Sequence, residues 1–121
     1  MAKTLEITGD LRTVDTAAGR PRQGISLVKS LTITETQVGQ SIVLATGGTW
    51  TIDFSVIAAA KAICVKTTGV ATLTLTVNSV ALGNIRVNTL FMLVDSGGGI
   101  TAGTITQATG SDMVIEIDIV G

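Results

Sequence analysis

Few side chains in this sequence are equipped for chemistry, and their spacing limits what they could do. Glu116 and Asp118 stand two residues apart in M-V-I-E-I-D-I-V, with Asp112 just upstream. On a strand, that spacing puts both carboxylates on one face, about 6.5–7 Å apart. Such a pair could serve acid–base work or bind calcium, although a solvated polar stripe needs neither. Cys64 is the only cysteine, which excludes an intrachain disulfide and a multi-cysteine metal site. It sits in the apolar run Ala62-Ile63-Cys64-Val65 and reads as a buried, inert thiol, since a nucleophile wants an exposed, electropositive setting. Arg12, Arg20 and Arg22 cluster around the only proline, Pro21. Guanidinium groups there could make bidentate contacts to carboxylates on a neighbouring subunit, or the segment could be a solvated loop.

The groups that are missing decide more. There is no histidine and no tyrosine. The Ser-His-Asp and Cys-His routes are therefore closed, along with the usual zinc and iron ligand sets. Asp95-Ser96-Gly97-Gly98-Gly99 is glycine-rich but lacks a following Gly-Lys-Thr/Ser and leads into a strand, so it is not a P-loop and reads as a flexible loop. A carbohydrate enzyme would want aromatic platforms beside its acids, and aromatics are 2% of the chain. We expect no enzyme, no cofactor and no metal.

The elements that position these residues are strands. In the stretch Val70 to Asn78, Ala71, Leu73, Leu75 and Val77 alternate strictly with Thr72, Thr74 and Thr76, the mark of a half-buried strand. Met113, Ile115, Ile117 and Ile119 alternate likewise with Val114, Glu116, Asp118 and Val120. Trp50, Ile52, Phe54 and Val56 share one face of a strand over 49–57 and should centre the core. Strands are also expected over 3–8, 25–34 (with a bulge or protected edge at Lys29–Ser30), 41–45, 63–67 and 85–87. Thr68-Gly69 should turn 63–67 into the strand after it, and Gly83-Asn84 should make a second turn. Ala58–Ala62 is the one plausible helical turn, or equally a loop between sheets. The run Leu90-Phe91-Met92-Leu93-Val94 is apolar throughout, which suits a strand buried on both faces or covered by a partner.

Eight to ten short strands imply an all-β, two-sheet antiparallel sandwich, with a jelly roll as the form. At 121 residues the chain is expected to be one β-sandwich domain, with 9–24 as an extended arm or loop. Charged residues are 14%, against about 25% in an ordinary soluble domain, while apolar residues reach 45% before 14 glycines are counted. A chain so poor in charge has apolar surface to spare, and exposed apolar patches mark interaction sites. Net charge is −1 and the pI about 5.1, which argues against a general nucleic-acid binder. No signal-peptide core opens the sequence, and no run reaches the ~18–20 apolar residues of a membrane span. No secretion and no membrane partner are expected.

The strands A-T-L-T-L-T-V and G-T-W-T-I-D-F-S, the M-A-K-T start and the lack of catalytic residues resemble the small all-β structural proteins of tailed bacteriophage particles. The likeness is closest to the head decoration, or cement, proteins. The resemblance implies a virion protein made in the host cytoplasm. It would bind the major capsid protein on the outside of the head as a trimer or dimer and clamp neighbouring subunits. Candidate contacts are Arg12, Arg20, Pro21 and Arg22, reaching to the shell, and Leu90, Phe91 and Met92, at a contact between like subunits. A carbohydrate- or receptor-binding β-module and a tail or fibre component are the other readings.

Overall fold

Alternating Thr, Val, Ile and Leu favour extended backbone, because β-branched side chains fit a pleated, half-buried surface. A computed structural model describes residues 3–11, 14–15, 20–21, 25–33, 37–107 and 110–121, and there the backbone forms ten strands and no helix. The chain divides into two compact units, Met1–Ile33 and Thr34–Gly121.

The first unit holds two antiparallel two-stranded sheets. Strand β1 (Lys3–Leu11) pairs antiparallel with β4 (Ile25–Ile33), from Lys3 opposite Ile33 to Leu11 opposite Ile25. Between them β2 (Val14–Asp15) pairs with β3 (Arg20–Pro21), offset by one residue from the outer ladder. Lys29 stands opposite Ile7 and Ser30 opposite Glu6 in unbroken register, so of the bulge or edge expected at Lys29–Ser30 there is no bulge, and β4 is an edge strand, paired with β1 alone among the described residues. Thr4, Glu6 and Thr8 are exposed.

The second unit contains β5 (Gln37–Leu44), β6 (Thr49–Thr51), β7 (Ala62–Val77), β8 (Val80–Val94), β9 (Ile100–Thr106) and β10 (Met113–Val120). Its sheet runs β5-β10-β7-β9-β6, antiparallel throughout, with β8 also paired to β7. Strand β7 is the spine. Its residues 62–67 take β10 and its residues 72–77 take β9, while β8 accompanies both halves. Strands β10 and β9 therefore share one edge of β7, one after the other. The two ends of the order, β5 and β6, are joined by a tight turn in which Gly48 N–H donates to the Ala45 carbonyl at 2.9 Å. The result is an all-β antiparallel sheet nearly closed into a barrel. Inside it lie Ile63, Val65, Leu73, Leu75, Ile105, Ile115, Ile117 and Ile119, all fully buried. Each such side chain contributes about 1.5–3 kcal/mol relative to an exposed one.

Two expected turns give way. Thr68-Gly69 is no turn, because β7 runs straight through it as one 16-residue strand. A register shift against β8 falls there instead, between Lys66 and Val70. Threonine hydroxyls replace the missing ladder bonds. Thr67 Oγ1 donates to the Gly69 carbonyl (2.7 Å) and accepts from Thr89 N–H (3.2 Å), and Thr68 Oγ1 accepts from Val114 N–H (3.0 Å). The hairpin turn lies at Asn78-Ser79, whose φ of 51° and 65° are the two left-handed conformations a two-residue turn of this hand requires. Gly83-Asn84 lie within β8, where a second register shift leaves one extra residue on that strand.

The stretch after β6 also differs. Asp53 Oδ1 accepts from Ser55 N–H at 2.8 Å, an Asx turn that stops the strand early. Val56 is consequently 61% exposed, and Ile57 takes the core position expected for it. Of the two readings of Ala58–Ala62 the loop holds: it forms no helix, Ala60 bridges to Ile100, and Ala62 opens β7. The glycine loop before β9 is tied down rather than loose. Asp95 accepts from Gly97 N–H (3.0 Å) and from Asn78 Nδ2 (3.3 Å), and Asn78 N–H donates to the Gly99 carbonyl (2.9 Å).

Candidate functional site

Strand alternation gives the second unit two outward faces. Around the first half of β7, cross-strand register lines up Gly39, Asp118, Cys64 and Met92 in one row, and Ser41, Glu116, Lys66 and Leu90 in the next. Val43 and Val114 stand opposite each other beyond them, 67% and 40% exposed. Glu116 and Asp118 are exposed, as a solvated polar stripe should be. Glu116 pairs with Lys66 at 3.8 Å, and both side chains are mostly in water, so the pair adds ~1 kcal/mol at most. Among the described residues no group of three His, Cys, Asp or Glu is placed to hold a metal ion.

Cys64 is not in the core. Its neighbours Ile63 and Val65 are, and strict alternation puts Cys64 half-buried on the outer face between Asp118 and Met92. Burial, and then the Asp118 carboxylate, push its thiol above the usual range, with Lys66 pulling weakly the other way. That is the setting of a sluggish thiol, not an activated nucleophile.

Around the second half of β7 the outer face is a grid of threonines. Thr49 on β6, Thr106 on β9 and Thr72 on β7 form one row, and Thr51, Thr104 and Thr74 the next. The rows repeat about every 6.5–7 Å along the strands and the columns about every 4.8 Å across them. The sequence carries the signal as T-W-T, T-I-T and T-L-T-L-T, but only the register shows that they align. Beside the grid lies an open trough of about 220 Å³, lined by Phe54, Ile52, Gly103, Thr76 and Thr101 among others.

The expected contact residues fall as follows. Leu90, Phe91 and Met92 lie on β8, which among the described residues pairs with β7 alone. Phe91 and Leu93 pack against the core, while Leu90 and Met92 point outward, 56% and 46% exposed. The run is thus buried on one face and open on the other. At the far end of the same strand Val80 and Leu82 are also exposed. Arg20 and Pro21 form β3, where Arg20 stands opposite Asp15 and Pro21 opposite Val14. Arg12 and Arg22 lie outside the described residues. No helix among the described residues is long and apolar enough to cross a membrane.

No family model matches the chain, and neither a curated protein nor a solved structure does.

Proposed function

We propose that this chain is a non-enzymatic structural protein of a bacteriophage particle, binding the outside of the head and clamping neighbouring capsid subunits. The observation that carries an assembly role is strand β8. It is 15 residues long, has a ladder on one edge only among the described residues, and exposes Val80, Leu82, Leu90 and Met92. Proteins that work alone blunt such edges with lysine, proline or a cover, and an uncovered one is a template for strand addition by a partner. Placement on a phage head rests on the resemblance of the strands to decoration proteins. The jelly-roll form and the major capsid protein as partner belong to the same proposal.

The test is composition. Particles purified by density gradient from cells that carry the gene are expected to contain the chain in fixed stoichiometry with the major capsid protein. Particles that lack it, or carry it only with tail components, overturn the head assignment.

A glycan- or receptor-binding module has one observation in its favour, the trough beside Phe54. At about 220 Å³ it is smaller than the ~300–1,000 Å³ of ordinary ligand sites, and Phe54 is half-buried and packed against the core. The assembly reading is the better supported.

A further inference from the structure

We propose that β8 pairs with β8 of a second copy, antiparallel, about a two-fold axis at Met92; this deepens the assembly reading and rests on it. Three observations select this occupant. The first is the absence of protection. From Val80 to Val94 the only charged residue is Arg86, and there is no proline. The stretch 90–94 has neither a charge nor a register shift against β7, so nothing there opposes strand addition.

The second is self-complementarity. In an antiparallel pair, opposed residues point to the same face, so a two-fold ladder must oppose positions of equal parity. Centred on Met92, the ladder sets Leu90 opposite the partner's Val94, Phe91 opposite the partner's Leu93, and Met92 opposite its own copy. Every pair is apolar, and the exposed Leu90 and Met92 merge into one covered strip. Moved to Leu90, the axis would set Met92 against Asn88 and Val94 against Arg86, leaving polar groups across from apolar ones.

The third is charge. The row next to the seam carries Lys66, paired with Glu116 at 3.8 Å, and across the seam that row ends on the partner's Ala62, so self-pairing brings no like charges together. An isologous contact also consumes the free edge of both copies and closes at two. The ladder is short and sits at the small end of specific interfaces, so the dimer is concentration-dependent.

The experiment combines mass with cross-linking. Light scattering over a concentration series is expected to rise from the 12.3 kDa chain towards twice that mass. Leu90→Lys is expected to hold the monomer mass at every concentration and to match the wild-type melting curve at dilutions where both are monomeric, since Leu90 is an exposed side chain. In a Cys64→Ala background, a short bifunctional thiol reagent should convert Met92→Cys to covalent dimer at least tenfold faster than Thr101→Cys, an exposed position on β9. A wild-type mass fixed at one chain, or a trimer, overturns the proposal. So does a dimer in which Met92→Cys cross-links no faster than Thr101→Cys, and faster cross-linking of Leu90→Cys than of Met92→Cys overturns the register. None of these outcomes depends on particle composition, so this inference and the head assignment can fail separately.

Discussion

Gln40 and Asp53 face each other as if they were residues of two paired strands. The Gln40 side-chain Nε2 donates to the Asp53 carbonyl at 3.0 Å, and its Oε1 accepts from the Asp53 N–H at 3.3 Å. One side-chain amide thus does the work of a backbone bridge between β5 and the chain leaving β6, across the seam where the barrel is not closed by a ladder.

Gln40→Ala is expected to lower unfolding free energy by about 1 kcal/mol, the ordinary net worth of partly exposed hydrogen bonds. Gln40→Glu keeps the acceptor and loses the donor, so it should fall between wild type and Gln40→Ala. Urea titrations followed by Trp50 fluorescence, on the adjoining strand, would measure both. Equal midpoints for all three proteins would show that the seam holds without the clip.

Gln107 is a buried polar residue with a mechanical duty. Its Nε2 donates to the Leu44 carbonyl (2.7 Å) and the Ser111 carbonyl (2.9 Å), and its backbone N–H donates to the Gly48 carbonyl (3.1 Å). The Thr46 hydroxyl also reaches the Gly110 carbonyl, so two contacts pin the β5–β6 turn to the chain between β9 and β10. Gln107→Leu strands two carbonyls and should cost about 1–3 kcal/mol. The same urea titration reads it, and an unchanged midpoint would mean water replaces the amide at no cost.

Gly103 and Gly83 offer a matched pair on neighbouring parts of the sheet. A Cβ on Gly103 would lie 2.8 Å from Leu75 Cδ2 and 3.0 Å from Ile52 Cδ1, while one on Gly83 meets nothing within 4 Å. Gly103→Ala should destabilise by about 1–3 kcal/mol, as overpacking does, and Gly83→Ala should leave the melting temperature nearly unchanged. Similar shifts for the two would contradict the packing around Leu75.

Asp53 links stability to acid. Hydrogen bonds from the Ser55 hydroxyl and the Ser55 N–H hold its carboxyl below the ordinary carboxylate range. A lowered folded-state pKa means stabilisation that is present above the unfolded value, near 4, and lost as pH falls through the lower folded value. Asp53→Asn removes that titration. The variant's stability should therefore change less than wild type's between about pH 5 and pH 2, which melting curves across that range would show.

Cys64 should alkylate slowly. Its raised pKa leaves less thiolate at pH 8 than a free cysteine has, and Asp118→Asn, which removes one cause, should speed the reaction. Rates with iodoacetamide decide the matter, and an unchanged rate in Asp118→Asn would remove that carboxylate from the account.

Much of the barrel is legible in the order of residues. Period-two alternation locates β7 and β10 and names their buried residues, Leu73, Leu75, Ile115, Ile117 and Ile119 among them. It fails where a side chain replaces a backbone partner. Thr68-Gly69 has the composition of a turn, yet two threonine hydroxyls carry the strand through it. Asn78-Ser79 contains no glycine, yet it makes the turn. Trp50, Ile52, Phe54 and Val56 alternate as one strand, but the Asp53 carboxylate captures the Ser55 N–H and turns Val56 out. The proposed interaction surface is half legible. The apolar run 90–94 is plain in the sequence, whereas its place on β8 with a single paired edge, and the alignment of three separate threonine motifs, depend on register between distant segments.

The threonine grid gives the molecule a face whose wettability can change without its shape. Threonine and valine share a branched outline, so on a strand exposed to water an exchange at Thr49, Thr51, Thr72, Thr74, Thr104 or Thr106 swaps one hydroxyl for one methyl and leaves the backbone where it was. A lineage could drift that face from hydrated to adhesive one residue at a time, each intermediate folding as the last did. The barrel beneath it would be a neutral carrier, and the outer surface a record of what the protein had been selected to touch or to avoid.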